Sequence, residues 1–192
     1  MSHPPTTDDR VLATRVVGGD PQAFKLLIQR HERLVSHMVS RLIDNQEDLE
    51  EICQDVFLKV YERISDFGFQ SKLSTWIATI AWRHAINHKR RQKMSMSEFP
   101  DDEDFNKVVA SDINVENELS ETQLESVVQQ LADQLPAHYR GVLMMYHVES
   151  MNYQEIGEVT GMPEGTVKNY LFRARHLLKE KVKTYLGKEQ VL

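Results

Sequence analysis

His84 and His88 stand four residues apart, the spacing that puts two imidazoles on one face of a helix and offers a metal a pair of ligands. The zinc-hydrolase pattern needs a glutamate directly after the first histidine, and Ala85 stands there. No third ligand stands out nearby. The single cysteine, Cys53, falls inside an apolar helical stripe, where it packs as a small hydrophobe and neither ligates nor reacts. No Gly-rich phosphate loop, GxSxG elbow or Cys/His nucleophile arrangement occurs. The chemistry to expect is binding, with no catalytic residue, no metal and no cofactor.

Two basic segments are equipped for binding nucleic acid. From Asn152 the chain reads NYQEIGEVTGMPEGTVKNYLFRARHLL. Tyr153, Ile156 and Val159 predict a short amphipathic helix, Gly161-Met162-Pro163 a tight turn, and a second helix begins near Glu164. That is a helix-turn-helix pattern. Val167, Leu171, Ala174 and Leu178 lie on one side of the second helix and pack inward, while Lys168, Asn169, Phe172, Arg173, Arg175 and His176 occupy the other. Such a helix fits the major groove, with Glu164, Lys168 and Asn169 nearest base edges and the arginines reaching phosphates or guanine. The other segment is a helix expected from about Ser74 to Lys93. It aligns Thr79, Arg83, Asn87 and Arg90 in one stripe beside Ile77, Ile80 and Ala81, and ends in HKRRQK. Its cations suit phosphates, and Phe67, Phe69, Trp76 and Trp82 offer rings for unpaired bases. Trp76 is assigned to the core; Trp82, off the main apolar side and next to Arg83, stands evenly between core packing and stacking on an unpaired base.

The elements that must position these residues follow from periodicity. Gly and Pro are few, apolar residues recur at three-and-four spacing, and alternating runs are almost absent, so the fold class is all-α. Asp8 or Asp9 caps a short helix carrying Val11, Leu12 and Val16, which Gly18-Gly19 ends. Asp20-Pro21 starts a long helix with Phe24, Leu27, Ile28, Leu34, Met38 and Leu42 as its stripe, running to near Asn45. Asn45 with Asp48 caps a third helix, whose apolar face holds Leu49, Ile52, Cys53, Val56, Phe57, Val60 and Ile64. A second module resumes near Leu119 with Leu124, Val127, Val128, Leu131 and Leu135; Pro136 ends that helix, and Tyr139, Val142, Leu143 and Tyr146 mark another.

Charge is divided along the chain. The net charge is -6, yet residues 98 to 125 hold ten acids against Lys107 alone, which leaves the remainder net positive. Residues 94–118 carry few apolar residues and a DDED run, predicting a flexible acidic linker between a module at 1–93 and one at 119–192. The polar N-terminus, MSHPPTTDDR, has two acids where a signal peptide is basic and then apolar, and no apolar run is long enough for a membrane span. The expectation is a cytoplasmic protein without membrane insertion.

Four passages in order carry a resemblance to extracytoplasmic-function (ECF) sigma factors, the dissociable subunits that direct bacterial RNA polymerase to promoters. GDPQAFKLLIQRHERLV resembles the family's first helix, and DLEEICQDVFLKVYERISDF the segment that binds the clamp helices of the polymerase's largest subunit. KLSTWIATIAWRHAINHKRRQK resembles the -10 reading segment, and Trp82 is counted with the -10 residues. LPAHYRGVLMMYHVESMNYQEIGEVTGMPEGTVKNYLFRARHLLKEKV resembles the domain reading the -35 element. The resemblance implies a sigma region 2 helical bundle at 1–93 and a sigma region 4 helix-turn-helix domain at 119–192, and a factor that recognises both elements and promotes initiation. It implies polymerase contacts at Glu51, Gln54, Asp55 and Lys59, and capture of a flipped -10 base by the Gly68 to Ser74 loop with Gly68, Gln70, Ser71 and Lys72. Lys168, Asn169, Phe172 and Arg173 match the -35 contacts. Arg83 stands where many members have Asn. Core RNA polymerase, through its clamp helices and beta flap, and promoter DNA are the implied partners, with an anti-sigma factor as a further candidate. A stand-alone regulator using only the helix-turn-helix would leave the first module unexplained.

Overall fold

The computed structural model describes residues 8–92 and 121–189 of the 192-residue chain; the predicted acidic linker at 94–118 lies outside the described residues. Among the described residues there are eight α-helices, one 3-10 turn and no strand. They form two compact units, one built mainly from residues before 95 and the other mainly from those after it.

The first unit consists of α1 (Asp9–Val17), α2 (Pro21–Ser40), α3 (Gln46–Arg63), the 3-10 turn Ile64–Asp66 and α4 (Leu73–Gln92). Side-chain acceptors start its first three helices. Asp8 accepts from the Arg10 N–H at 3.1 Å, Asp20 from Gln22 and Ala23 at 2.9 and 3.2 Å, and Asn45 from Asp48 at 3.0 Å, each satisfying an otherwise orphaned donor. Gly19, at φ +79, turns the chain between α1 and α2, a conformation in which a Cβ would be strained. The α2 helix ends five residues earlier than the pattern predicts. The N–H groups of Leu42 and Ile43 both fold back onto the Val39 carbonyl at 3.0 Å, which tucks these two side chains into the core.

Helix α4 packs against both α2 and α3, and the core lies between them. Leu27, Val35, Met38, Val39, Val56, Val60, Ile77, Ala78, Ala81 and Ala85 are fully buried there. Val11, expected inside, is exposed, because Leu12, Ala13 and Val16 already fill the inner face of α1. Cys53 is half-buried in the α3 stripe; burial, with Glu50 assisting, raises its thiol pKa and keeps it protonated.

His31 is the unusual core residue. It is buried on α2 with no hydrogen-bond partner on Nε2, and burial lowers its pKa below 6.5, outweighing the upward pull of Asp9; Arg30 adds to the lowering. The folded chain therefore holds His31 neutral, while the unfolded chain protonates it. A depressed histidine pKa gives stability that is complete above the unfolded value and is lost as pH falls below it. The first unit should lose stability as pH falls below about 6.5. Both tryptophans, Trp76 and Trp82, lie in this unit, so their fluorescence follows it alone. His31→Leu should make that acid limb shallower, the remainder coming from His84 on α4, whose pKa burial also lowers, and an unchanged limb would assign it to other groups.

The second unit is built from α5 (Glu121–Asp133), α6 (Ala137–His147), α7 (Tyr153–Thr160) as far as Ile156, and α8 (Glu164–Glu189). Helix α8 packs against α5 and α6. Its core holds Leu131, Leu135, Tyr139, Val142, Met145, Ile156, Val167, Leu171 and Ala174, all buried. Asn152 and Glu155 cap α7 reciprocally, each backbone N–H donating to the other's side chain at 2.9 Å. That exchange explains a carboxylate only 9% exposed.

Candidate nucleic-acid interface

Gly161, at φ +78, ends α7, and its N–H donates to the Gly157 carbonyl at 2.8 Å; α8 then starts with the Thr166 and Val167 N–H groups on the Pro163 carbonyl. The helix-turn-helix is thus formed as its turn residues predict. On α8, Val167, Leu171 and Ala174 are buried, but the stripe continues at Leu177 and leaves Leu178 half-exposed. That corrects the expected spacing by one residue. A period of 3.6 alone would return the inner face at 178, so the neighbours that cover α8, and not its own period, bury Leu177.

The outer face presents Glu164, Lys168, Asn169, Phe172, Arg175 and His176 exposed, with Arg173 half-exposed. Phe172 is 71% exposed, which no packing role explains. Lys168 is paired with Glu164 at 2.7 Å, and that bond raises the lysine's pKa and holds the charge on. Arg175 does more than the sequence shows. Its Nε and Nη2 lie 3.3 Å from His147 Nε2, and its guanidinium sits 4.9 Å over the Tyr146 ring. Because arginine only donates, Nε2 must accept and the imidazole proton must sit on Nδ1. Burial, with Arg175 beside it, lowers the His147 pKa and favours this neutral form.

Along α4, Arg83, Asn87 and Arg90 are exposed on one stripe, with Thr79 half-buried at its head. The Thr79 hydroxyl donates to the Thr75 carbonyl at 2.9 Å, back into its own helix. Trp82 needs correction. It is 1% exposed and among the largest fully buried side chains, so its ring packs the core and presents no open face to a base. Because α4 is covered by two neighbours, its buried face is wide enough to take in position 82. Within the basic end, Lys89 donates to the Leu42 carbonyl at 3.2 Å and His88 meets Asp48 at 3.4 Å, so these two tie α4 to its neighbours. Arg90 and Arg91 are both exposed.

The loop before α4 exposes Gly68, Gln70 and Lys72 and half-exposes Ser71. Phe69 holds φ +55, a left-handed conformation costing a non-glycine residue about 1 kcal/mol or more. Its ring is held 4.8 Å from Phe67, itself 5.4 Å from Trp76, and the Arg10 guanidinium sits 5.0 Å over it. Trp76 is half-buried at the edge of this cluster.

On α3, Glu51, Gln54 and Asp55 are exposed opposite the core, and Lys59 pairs with Glu62 at 2.7 Å. The sequence reading missed Leu58, which is 61% exposed on the same ridge, one turn from Gln54 and Asp55, with Tyr61 half-exposed beyond it. Its signal was present, since an apolar residue out of phase with a full stripe must face outward. Burial lowers the His84 pKa although Asp55 opposes it, and no cluster of three metal-ligating groups occurs among the described residues. No described helix is long and apolar enough to cross a membrane.

Residues 27–94 match the family model of Sigma-70 region 2, and residues 126–178 match that of Sigma-70, region 4. Over 184 residues the chain is 28% identical to the ECF RNA polymerase sigma-E factor of Haemophilus influenzae, covering 91% of this chain and 95% of that protein. The sigma-E factor of Escherichia coli K12 matches at the same identity, over 91% and 94%. Among solved structures, CnrH in complex with the cytosolic domain of CnrY shares the fold at a TM-score of 0.65 and 20% identity, over 93% of this chain and 99% of that one. The sigma factor RpoE of Bartonella quintana, solved with the anti-sigma factor NepR, aligns at a TM-score of 0.62 and 19% identity, over 83% and 96%.

Proposed function

This chain belongs to the sigma-70 family, as an RNA polymerase sigma factor of the extracytoplasmic-function type, and from that premise we propose how its residues divide the work. A sigma factor binds core polymerase and promoter DNA, promotes transcription initiation and is not an enzyme. The reading assigns residues 1–93 to polymerase docking and the -10 element, 119–192 to the -35 element and the beta flap, and 94–118 to the connection. It acts in the cytosol, where the polymerase is.

The observation that carries the assignment is the outer face of α8, where Lys168, Asn169 and Phe172 are exposed opposite a fully buried Val167 and Leu171. Such a face suits base edges in the -35 major groove. Arg83, Asn87 and Arg90 suit the -10 strand, with the strained loop around Phe69 as the place where a flipped base is received. One solved relative is in complex with the cytosolic domain of CnrY and the other with the anti-sigma factor NepR, which supports an anti-sigma partner here. Run-off transcription with core polymerase on a promoter library tests the whole reading. A transcript whose start depends on both elements is expected, and no selection at either would defeat it.

Docking on the clamp helices is assigned to the α3 ridge, with Leu58 as its apolar anchor among Glu51, Gln54, Asp55 and Lys59. Leu58→Asp should weaken core binding at least tenfold, about 1.4 kcal/mol, with helicity unchanged. Reversing Glu51 and Asp55 together should do the same. If both variants bind core polymerase as the parent does, the ridge is not the docking surface.

A further inference from the structure

Two cations on the outer face of α8 share an aromatic support that lies outside that helix. Tyr146, near the end of α6, and Tyr153, at the start of α7, stack with centroids 5.4 Å apart and planes 17° from parallel. Lys168 Nζ lies 5.3 Å over the Tyr153 ring, and the Arg175 guanidinium 4.9 Å over the Tyr146 ring. Positions 168 and 175 are seven apart, two helical turns, so both face the same way. Glu164 fixes the other side of Lys168 at 2.7 Å, and His147 fixes Arg175 at 3.3 Å.

We propose that the stacked Tyr146–Tyr153 pair is a positioning platform for the recognition helix, presenting Lys168 and Arg175 to promoter DNA as a cation pair at fixed spacing. This rests on the -35 reading above and adds two residues to it that touch no DNA in that assignment. A free lysine or arginine spreads over many rotamers and loses that freedom on binding, whereas a side chain already laid across a ring has lost much of it beforehand. Contacts of this kind at exposed sites favour the held rotamer about twofold to fivefold each. The cations stay available. A ring covers one side of an ammonium with three donors, and His147 uses the Nε and Nη2 of Arg175, leaving Nη1.

The test measures full-length factor, in holoenzyme with core polymerase, for affinity to its selected -35 duplex and to an unrelated duplex. Tyr153→Leu should lower selected-site affinity about twofold to fivefold with unrelated-duplex affinity within twofold, and adding Tyr146→Leu, which frees the phosphate-facing Arg175, should lower affinity for both duplexes about twofold to fivefold further, with circular dichroism unchanged. The Phe variants at both positions should restore the parent value, because the ring face is what is used. In a Lys168→Ala background, Tyr153→Leu should have no further effect, a result that loss of packing alone would not give. A parent-like Tyr153→Leu, a Phe variant as weak as the Leu variant, or full additivity with Lys168→Ala overturns the platform while leaving the -35 assignment standing. A parent holoenzyme without -35 preference overturns both.

Discussion

Trp82→Ala should destabilise the first unit by about 3 to 5 kcal/mol, measured on the free factor without DNA or polymerase. The side chain is 1% exposed on α4, facing the neighbours that cover this helix, α2 and α3, so truncation removes a large apolar surface and leaves a cavity that the helices fill only in part. A loss of this size is a large share of what a small bundle has, and the unit should be substantially unfolded at physiological temperature. Trp82→Phe separates packing from chemistry. It keeps most of the volume and removes an indole N–H that has no partner in the core, so it should cost far less than alanine. Denaturant unfolding followed by the fluorescence of Trp76 reads the first unit in each variant. If Trp82→Ala melts within about 0.5 kcal/mol of the parent yet fails to open promoters, the ring serves unpaired bases and the core assignment is wrong.

Asn169→Ala should relax -35 selection at one base pair, by about 1 to 3 kcal/mol of discrimination, without lowering stability. Asn169 is exposed in the second turn of α8, two residues from buried Val167 and two from buried Leu171, and its amide offers a donor and an acceptor together. An adenine edge in the major groove is the matching surface. Lys168 beside it is bound to Glu164, so the two act as a unit and single substitutions there will not add. Arg175→Ala provides the contrast. It should weaken all sequences alike and reduce the salt dependence by about one ion, because an arginine at that distance from the helix start meets phosphate. Selection from a randomised -35 library decides between them. Identical preferred sequences for the parent and Asn169→Ala would remove the residue from the base-reading set.

Much of this molecule was determined by its sequence alone, for reasons that are local. Asp20, Asn45 and Gly161 each act through a hydrogen bond or dihedral within a few residues of themselves, so the start of α2, the start of α3 and the turn of the helix-turn-helix could be placed without a fold. The same holds for the outward set on α8, since a period of 3.6 separates Lys168, Asn169 and Phe172 from Val167 and Leu171 regardless of what covers the inner side. The four sequence passages in order also pointed to the family, because their spacing reflects two modules and not one helix.

Tertiary structure decided what periodicity leaves open, namely how much of a helix's circumference its neighbours cover. Trp82 stood off the main apolar side in sequence and became core because two helices cover α4. Leu58 stood in a helix whose stripe was already complete and stayed exposed. Lys89 and Arg175 looked alike as basic residues near DNA-facing surfaces. One reaches the Leu42 carbonyl, 47 residues away in sequence, and the other reaches His147, 28 away, and neither partner is visible to a pattern that sees only a turn or two of helix. A side chain's phase on its own helix is a local property; its partner is set by which helix comes to lie beside it.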